Sequence, residues 1–310
     1  MIVYRELSSL ARDLGVQPRT LYALANGRRK HCHKVSIPKR SGGTRELMVP
    51  DAALKAVQRR ILEVLLQPLP VSSYAMAYRF GGSALRAASP HAGKPVILKL
   101  DLYQFFDSVR YTAVKEAAFP AEIYAEPLRI LLSLLCYGKD SLPQGAPTSP
   151  AISNRLLFLF DEQTGAWCRA RGIAYSRYCD DLVFSGDFDP AEVIRHVRPE
   201  LQKLGFLLNG QKTRVLRQHQ QQLVTGLVVN EHPAVPSSYR RKLRQELYYC
   251  RRFGVKSHLQ QTGCADSETV YLRQLLGRVC YVLHAAPDSA FFQEARSWLL
   301  AELRRQVQEG

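Results

Sequence analysis

The amino-acid sequence predicts an α+β fold, and three stretches carry that prediction. Residues 173–185, IAYSRYCDDLVFS, contain two short apolar and aromatic runs joined at an adjacent carboxylate pair. This pattern indicates a β-hairpin with the pair at its turn. The continuous apolar run from about Pro95 to Asp101 is typical of a buried central strand. From Glu231 onward the chain shows long helical patterns without further strands.

Three carboxylates in these stretches form a candidate metal site. Asp180 and Asp181 are adjacent and repel each other unless a proton or a cation relieves the charge. Mg²⁺ prefers oxygen ligands and binds one or two carboxylates together with substrate phosphates. If the strand that ends at Asp101 lies beside the hairpin, Asp101 and Asp180 can share two metal ions. An isolated Asp-Asp pair is more often a solvated turn, so this interpretation depends on the rest of the chain.

The net charge predicts a polyanionic partner. The chain of 310 residues carries a formal charge of +16. Eleven Lys and Arg residues lie between Arg19 and Arg60, and seven lie between Tyr239 and His258. Such clusters favour nucleic acid, because neutralisation of phosphates drives affinity.

Composition also limits the class of protein. No apolar run approaches the ~18 residues that cross a bilayer, and the first residues do not form a signal peptide. We therefore expect a cytoplasmic protein without a membrane partner. The seven cysteines are scattered, which indicates neither a disulfide framework nor a zinc site. His31-Cys32-His33 is a poor chelate, because its members are consecutive.

The first half of the chain predicts two hairpins of different kinds. Residues 4–27 predict two short helices, a pattern that resembles a DNA-reading helix-turn-helix but also suits any helical hairpin. Residues 35–50 predict a basic β-hairpin with a Ser-Gly-Gly turn, which can fold over a triphosphate. Its Arg45 can bind phosphate oxygens bidentately. A helix follows over residues 51–69.

The middle of the chain predicts a rigid loop that is followed by two helices. Pro and Gly fix the turn of LPQGAPTSP, residues 142–150, and let its backbone approach a ligand closely. A helix is predicted over roughly Ala151–Arg171 and ends at Gly172. Another is predicted from Pro190 and should be interrupted or kinked near Pro199.

Five sequence boxes resemble those of bacterial retron reverse transcriptases, in the order that the family has them. They cover about residues 35–230 and comprise LDLYQFFDSV (100–109), LPQGAPTSP (142–150), YCDD (178–181), LGFLLNGQKT (204–213) and VTGLVVN (224–230). The match is specific because five boxes agree in order and spacing. One element departs from the pattern: Ala87 stands where retron enzymes carry an asparagine, although His91 remains. We assign His91 no catalytic role.

The resemblance implies a right-hand polymerase fold of fingers, palm and thumb. It implies an N-terminal helical extension over 1–34, fingers and palm over 35–230, and a basic helical thumb over 231–310. The implied activity is RNA-directed DNA polymerisation with two Mg²⁺ ions, for which Mn²⁺ is a possible substitute. The implied catalytic residues and metal ligands are Asp101, Asp180 and Asp181, with Leu102 as a further metal ligand.

The resemblance also implies nucleotide-binding and RNA-binding residues. The nucleotide-binding set is Lys39, Arg45, Phe106, Gln144, Gly145 and Lys212. Phe106 falls at the family's steric gate, where an aromatic ring clashes with a 2′-OH, although a core position is the alternative. Lys212 can stabilise or protonate the leaving pyrophosphate, unless it is an ordinary surface lysine. The RNA-binding set is Arg240, Arg241, Arg244, Arg251 and Arg252.

The implied partners are a cognate structured noncoding RNA, its DNA copy, deoxynucleoside triphosphates and an effector or toxin protein. In this interpretation the enzyme makes RNA-linked multicopy single-stranded DNA and takes part in antiphage defence. Two alternatives stay open. The chain could be a group II intron-like or diversity-generating reverse transcriptase, or it could be an RNA–DNA scaffold that restrains an effector.

Overall fold

A computed structural model describes residues 3–38 and 42–308 of the chain. Its residues group into two compact units. The first contains the chain through Ser83 together with Pro95–Leu216, and the second contains Ala84–Lys94 together with the chain from Arg217 onward. The predicted domain boundaries at residues 35 and 231 do not coincide with this division and stay predictions.

Strands and helices are interspersed as far as Val228, and helices make up the end of the chain. The strands are β1 Cys32–Pro38, β2 Thr44–Pro50, β3 Val96–Asp101, β4 Ala174–Tyr178, β5 Asp181–Gly186, β6 Arg214–Arg217, β7 Leu223–Val224 and β8 Leu227–Val228. The helices up to residue 136 are α1 Leu7–Leu14, α2 Pro18–Gly27, α3 Ala52–Ile61, α4 Ala84–Ala88, α5 Tyr111–Ala118 and α6 Glu126–Cys136. The later helices are α7 Ser149–Leu156, α8 Phe158–Arg169, α9 Pro190–Lys203, α10 Ser237–Phe253, α11 Val255–Thr262, α12 Glu268–Ala285 and α13 Ala290–Gln308. A π-helical segment, Leu62–Leu66, extends α3, and a 3₁₀ turn covers Ser89–His91.

The central sheet has four strands in the order β4-β5-β3-β6. Strand β5 pairs antiparallel with β4 on one side and with β3 on the other. Both predictions for this region are confirmed, since residues 174–186 form a hairpin and Val96–Asp101 is its buried neighbour. Side chains of β3 and β5, such as Leu98 and Phe184, are fully buried in the core. Packing in the core therefore fixes the position of the sheet, including the end at which the carboxylates lie.

Two predicted helices differ from those observed. The predicted helix over 151–171 is two helices, because Leu157 leaves the helical region with φ −91° and ψ 3°. The predicted interruption at Pro199 is absent, since α9 continues to Lys203, and the alternative of a kink there stays a prediction. A helix-internal proline costs about 3 kcal/mol. The fully buried side chains of Val193, Val197 and Leu201 each contribute roughly 1.5–3 kcal/mol, which outweighs that cost.

Other predicted elements are confirmed with small shifts of their bounds. The N-terminal pair appears as α1 and α2, and α2 begins with Pro18, which suits the first turn of a helix. The basic hairpin is β1–β2, in which Cys32 pairs with Pro50 and Pro38 with Thr44.

The second unit contains the hairpin β7–β8 and the helices α10–α13. Thr225 and Gly226 join the two strands, with φ of 47° and 86°. Glycine adopts this left-handed region without strain, and the Thr225 hydroxyl donates to the carbonyl oxygen of Ala84 at 2.8 Å. The nearby His91 is fully buried, and burial lowers its pKa to about 3. Burial therefore keeps His91 neutral.

Within residues 3–38 and 42–308, none of the helices has the length and apolar character needed to cross a membrane.

Candidate active site

The strand register brings the three predicted carboxylates to one end of the central sheet. Asp101, the last residue of β3, pairs with Asp181, the first residue of β5. Asp180 lies in the turn before β5, and its carbonyl oxygen accepts a hydrogen bond from the N–H of Leu102 at 3.1 Å. The turn also contains Cys179, whose φ is 58°. A positive φ is uncommon for a residue with a side chain and occurs where the surroundings fix the backbone.

Cations and an amide surround Asp101. The Nζ atom of Lys212 lies 2.8 Å from Oδ1 of Asp101, and Nδ2 of Asn209 lies 3.3 Å from Oδ2. The backbone N–H of Asn209 also donates to the carbonyl oxygen of Asp101 at 2.8 Å. The hydrogen bond to Asp101 and the nearby carboxylates raise the pKa of Lys212, so its ammonium group stays protonated. Lys212 therefore balances part of the negative charge.

The environment of Asp181 disfavours its charged form. Burial raises the pKa of this carboxyl, and repulsion from Asp180 raises it further. Lys99 and Lys212 oppose that shift without cancelling it. A buried carboxyl group with a raised pKa is a site where a divalent cation would relieve an energetic cost.

The residues fit magnesium by the chemistry of their donors. Asp101, Asp180 and Asp181 offer carboxylate oxygens, and Leu102 can offer only its main-chain carbonyl oxygen. In the described part of the chain no three His, Cys, Asp or Glu side chains are placed to hold one ion together. This result is compatible with magnesium, because Mg²⁺ takes one or two carboxylates and fills its other positions with water and substrate phosphates. Lys212 also occupies one oxygen of Asp101.

A cavity of about 640 Å³ opens beside the carboxylates. Asp101, Asp180, Phe106, Gln144 and Lys212, all from the predicted site, line it. Thr44 and Glu46 of the basic hairpin also line it. The cavity has room for a nucleotide, with carboxylates for its metal ions and a cation for its phosphates.

Phe106 and its neighbour have different environments. Phe105 is buried and packs against Phe206, with ring centroids 5.4 Å apart. Phe106 is half-buried, packs against Phe105 at 5.1 Å and faces the cavity. The core therefore holds Phe105, while Phe106 lines the cavity and its role as a steric gate stays a prediction.

Gly145 approaches the basic hairpin directly. A Cβ atom at Gly145 would lie 2.9 Å from Cγ2 of Val49 in β2, so a larger residue requires the hairpin to shift. The Gly145 N–H donates to the carbonyl oxygen of Met48 at 3.4 Å. The adjacent Gln144 lies 3.3 Å from both carboxylate oxygens of Asp107. The predicted nucleotide-binding role of Gly145 stays a prediction, while its packing against β2 explains why glycine suits this position.

Two predicted phosphate ligands cannot be placed. Lys39 and the side chain of Arg45 lie outside the described residues. The backbone of Arg45 belongs to β2 and pairs with Ile37.

Sequence analysis missed a buried arginine that supports the catalytic turn. Arg177 and Asp161 are both fully buried, and Nη2 of Arg177 lies 2.6 Å from Oδ2 of Asp161. The Nη1 atom of Arg177 donates to the carbonyl oxygen of Cys179 at 3.0 Å, and Nη2 donates to Oδ1 of Asn154 at 3.1 Å. The Tyr175 hydroxyl donates to Asp161 at 2.8 Å. The sequence did contain a signal for this role, because an arginine stands within an otherwise buried strand, two residues before the turn.

The predicted RNA-binding arginines of α10 fall into two groups. Arg241, Arg244 and Arg252 are exposed. Arg251 is about three-quarters buried and contacts Oε1 of Glu294 at 2.8 Å and the ring of Trp298 at 5.2 Å. The Arg244 guanidinium lies over the rings of Phe291 and Phe292, at 5.3 and 5.4 Å from their centroids.

Two aromatic side chains extend the exposed face of α10. Tyr248 is 59% exposed and Phe253 is 59% exposed, so neither is a core residue. Arg240 is half-buried, with its Nε atom enclosed. Sequence periodicity could not distinguish the exposed side chains of α10 from the half-buried ones. The apolar positions that α10 buries are only Leu243, Leu247 and Cys250.

Comparison with known proteins identifies the family. A family described as "Reverse transcriptase (RNA-dependent DNA polymerase)" matches residues 37–229. The chain is 37% identical to the retron Mx65 reverse transcriptase of Myxococcus xanthus, over 93% of this chain and 70% of that protein. It is 32% identical to the retron Mx162 reverse transcriptase of the same organism, over 88% of this chain and 62% of that protein. The chain is 35% identical to the retron Ec83 reverse transcriptase of Escherichia coli, over 50% of this chain and 53% of that protein.

The fold and the family match define an RNA-dependent DNA polymerase of the α+β, right-hand class, as predicted. Within that class the chain belongs to the bacterial retron reverse transcriptases.

Replacement of Asp181 by Asn should stabilise the metal-free protein at neutral pH. Because the pKa of Asp181 is raised, the native state holds this proton more tightly than the unfolded chain does. Wild-type stability should therefore fall as pH rises from the ordinary aspartate pKa through the raised one. The variant lacks this loss, so the difference should vanish below the ordinary pKa.

The measurement is urea unfolding of both proteins without divalent metal across that pH range. Asp187→Asn, at an exposed position just after β5, is the control and should leave stability unchanged. Added Mg²⁺ should narrow the difference, because it binds the native wild type. An Asp181→Asn protein less stable than wild type at pH 7 would contradict this account of the site.

Replacement of Arg177 should affect two properties that can be measured apart: the stability of the fold and the geometry of the turn at Cys179. Arg177→Met leaves Asp161 charged and buried, which should cost about 3–5 kcal/mol of unfolding free energy. Adding Asp161→Asn removes that charge and keeps an oxygen for the Tyr175 hydroxyl, so the double variant should recover most of the loss. It should still lack the donor to the Cys179 carbonyl oxygen, and DNA synthesis should stay about tenfold or more below wild type. Urea unfolding and primer extension test the two parts, and full activity in a stable double variant would remove Arg177 from the positioning role.

Proposed function

We propose that this protein copies a structured RNA into DNA by two-metal nucleotidyl transfer at Asp101, Asp180 and Asp181. The observation that carries the proposal is the register of β3 and β5, which pairs Asp181 with Asp101, a residue that lines a nucleotide-sized cavity together with Asp180. Membership of the retron reverse transcriptases supports the same chemistry. The chain spans 70% and 62% of the two myxococcal relatives, so activity on a natural substrate remains part of the proposal.

The carboxylates would hold two Mg²⁺ ions, with Mn²⁺ as a possible substitute. Bound magnesium lowers the pKa of the attacking hydroxyl and neutralises charge on the triphosphate. The main-chain oxygen of Leu102 would complete the protein's ligand set. The raised pKa of Asp181 supports this assignment, because burial and repulsion from Asp180 disfavour its charged form and a bound cation would favour it.

Lys212 would stabilise the leaving group. Its ammonium group lies 2.8 Å from Asp101 and remains protonated, so it can donate to a phosphate oxygen beside the carboxylates. Gln144 lies on the cavity wall and can contact the incoming nucleotide. Lys39, Arg45 and Gly145 remain proposed nucleotide ligands on the strength of the family resemblance alone.

The proposed product is RNA-linked single-stranded DNA made from one cognate RNA. The exposed Arg241 and Arg252, with Tyr248 beside them, would give α10 affinity for that RNA. Similarity to retron enzymes further supports a role in antiphage defence together with an effector protein. We propose that the complex acts in the cytoplasm.

Removal of a carboxylate should abolish DNA synthesis without abolishing RNA binding. We expect Asp101→Asn and Asp180→Asn to reduce primer extension by about 10³-fold or more, since several kcal/mol of transition-state stabilisation are lost. Asp187→Asn, which removes the same charge from an exposed position after β5, should retain extension. The assay uses an RNA template, a DNA primer and Mg²⁺, with RNA affinity measured in parallel. Normal extension by either site variant would refute the assignment.

Replacement of Phe106 by Ala should admit ribonucleotides. The half-buried ring faces the cavity and would collide with a 2′-OH, so its removal should lower the preference for deoxynucleotides about tenfold or more. The measurement compares incorporation of deoxy- and ribonucleoside triphosphates on the same primer and template. Extension with deoxynucleotides serves as the internal control. An unchanged ratio would place Phe106 among the packing residues.

Substitutions on α10 should have different effects at the exposed arginines and at the partly buried Arg251. Arg241→Glu with Arg252→Glu should weaken RNA binding and reduce the slope of log affinity against log salt by about two or more. Arg251→Gln should instead lower stability, because it loses contacts to Glu294 and Trp298. Expression with the flanking DNA should yield a discrete RNA-linked DNA with the wild type and less of it with the double variant. A heterogeneous mixture of cellular RNAs would favour a polymerase without a cognate RNA.

A further inference from the structure

A second cavity in the first unit lies next to the nucleotide cavity. Its volume is about 670 Å³, and Tyr78 lines both cavities. Its floor is apolar and comes from the π-helical segment Leu62–Leu66, from Pro70 and from Pro150 of the rigid loop. No residue described above for metal binding lines it. We call this space the Phe80 cavity.

Phe80 is exposed at the rim of this cavity, and its ring has no packing role. Its relative exposure is 102%. The turn that carries it is tight, because the Gly82 N–H donates to the carbonyl oxygen of Arg79 at 3.1 Å. A Cβ atom at Gly82 would lie 2.4 Å from the carbonyl oxygen of Met76, so the turn accepts only glycine there without a shift. A fixed turn that presents an aromatic ring to solvent is suited to a ligand.

The loop that carries Phe80 is attached to the support of the catalytic turn. The Met76 N–H donates to the carbonyl oxygen of Arg177 at 2.8 Å. Asn154, which also contacts Arg177, donates to the carbonyl oxygen of Ala77 at 2.9 Å. The Tyr78 hydroxyl donates to the Cys179 sulfur, and Tyr78 has a strained φ of 59°. A ligand at Phe80 would therefore have a fixed position relative to the carboxylates.

The charge of the cavity indicates the class of ligand. Arg79 and Arg155 line it, and none of the described lining residues is Asp or Glu. Arg79 donates from Nη1 to the Ser72 carbonyl oxygen, and Arg155 donates from Nε to that of Ala117. Each guanidinium has five N–H donors, so further donors stay available for an anion. An aromatic ring with arginines and an apolar floor is the combination that binds single-stranded nucleic acid.

We propose that the Phe80 cavity binds the unpaired nucleotide of the RNA template that lies directly ahead of the templating base. The base of this unpaired nucleotide would stack on the ring of Phe80. Arg79 and Arg155 would contact its phosphates. The inference rests on the proposed function, because a template exists only if the protein copies RNA. The incoming triphosphate is better suited to the neighbouring cavity, which contains the carboxylates. The interior of a paired duplex does not suit the ring, since each internal base is already stacked on both faces.

The test measures how much an unpaired template extension strengthens binding. Wild type and variants are titrated with two RNA–DNA substrates, one with a single unpaired template nucleotide and one with four. We expect Phe80→Ala to reduce the affinity gained from the longer extension by about tenfold, the value of one base–aromatic stack. Leu159→Ala removes another exposed apolar side chain of the same unit, 68% exposed, and should keep the full gain.

Two further variants distinguish stacking from general apolar contact. Phe80→Trp should keep the gain, and Phe80→Leu should lose it, because leucine has apolar surface but no ring face. A 2-aminopurine placed directly ahead of the templating base should be quenched by the wild type and by Phe80→Trp, but less by Phe80→Ala and Phe80→Leu.

The outcomes separate this inference from the proposed function. If the wild type extends primers and Phe80→Ala keeps the full gain and the full quenching, the template subsite is refuted and the polymerase stands. If Phe80→Leu behaves as wild type, an apolar partner such as a protein segment replaces the nucleotide as the occupant. A wild type that neither binds nor extends either substrate overturns both proposals.

Discussion

Repulsion among three carboxylates at one end of a sheet is the constraint on which the rest of this site depends. The register of β3 and β5 places Asp101 opposite Asp181, and the turn places Asp180 beside them. Nothing in a β-hairpin favours such a cluster, so the core on the sheet and the cations around it must hold it in place. Lys212 supplies one cation, while burial and repulsion from Asp180 still raise the pKa of Asp181. The site thus stores an electrostatic cost that metal binding would relieve.

The buried Arg177 connects this constraint to the surrounding elements. Its guanidinium binds Asp161 of α8, Asn154 of α7 and the carbonyl oxygen of Cys179 in the catalytic turn. Asn154 continues the connection to the loop that carries Tyr78 and Phe80. A buried ion pair contributes little net stability, because desolvation offsets the attraction. Its value here is positional, since each donor fixes one element relative to the turn.

The sequence predicted most elements, and its errors have physical reasons. Alternating and continuous apolar runs correctly located β3, β4 and β5, because strand burial depends on local pattern. Of the interruption or kink expected at Pro199, the interruption was wrong, because packing of three buried side chains outweighs the local cost of proline. The helix break at Leu157 was missed, because no Pro or Gly marks it. Arg251 could not be distinguished from Arg252 by charge, since only the positions of Glu294 and Trp298 bury one of them.

The sequence by itself determined the chemical inventory of this protein: adjacent carboxylates at a turn, a third after a buried strand, and two basic clusters. These features are local, and residue type with spacing is sufficient to find them. The tertiary structure alone decided which residues meet. Contacts between positions distant in the chain, such as Lys212 with Asp101 or Arg177 with Asp161, depend on how the elements pack. The exposure of Phe80 was likewise decided by the turn that holds it, because an aromatic residue in a sequence more often indicates core.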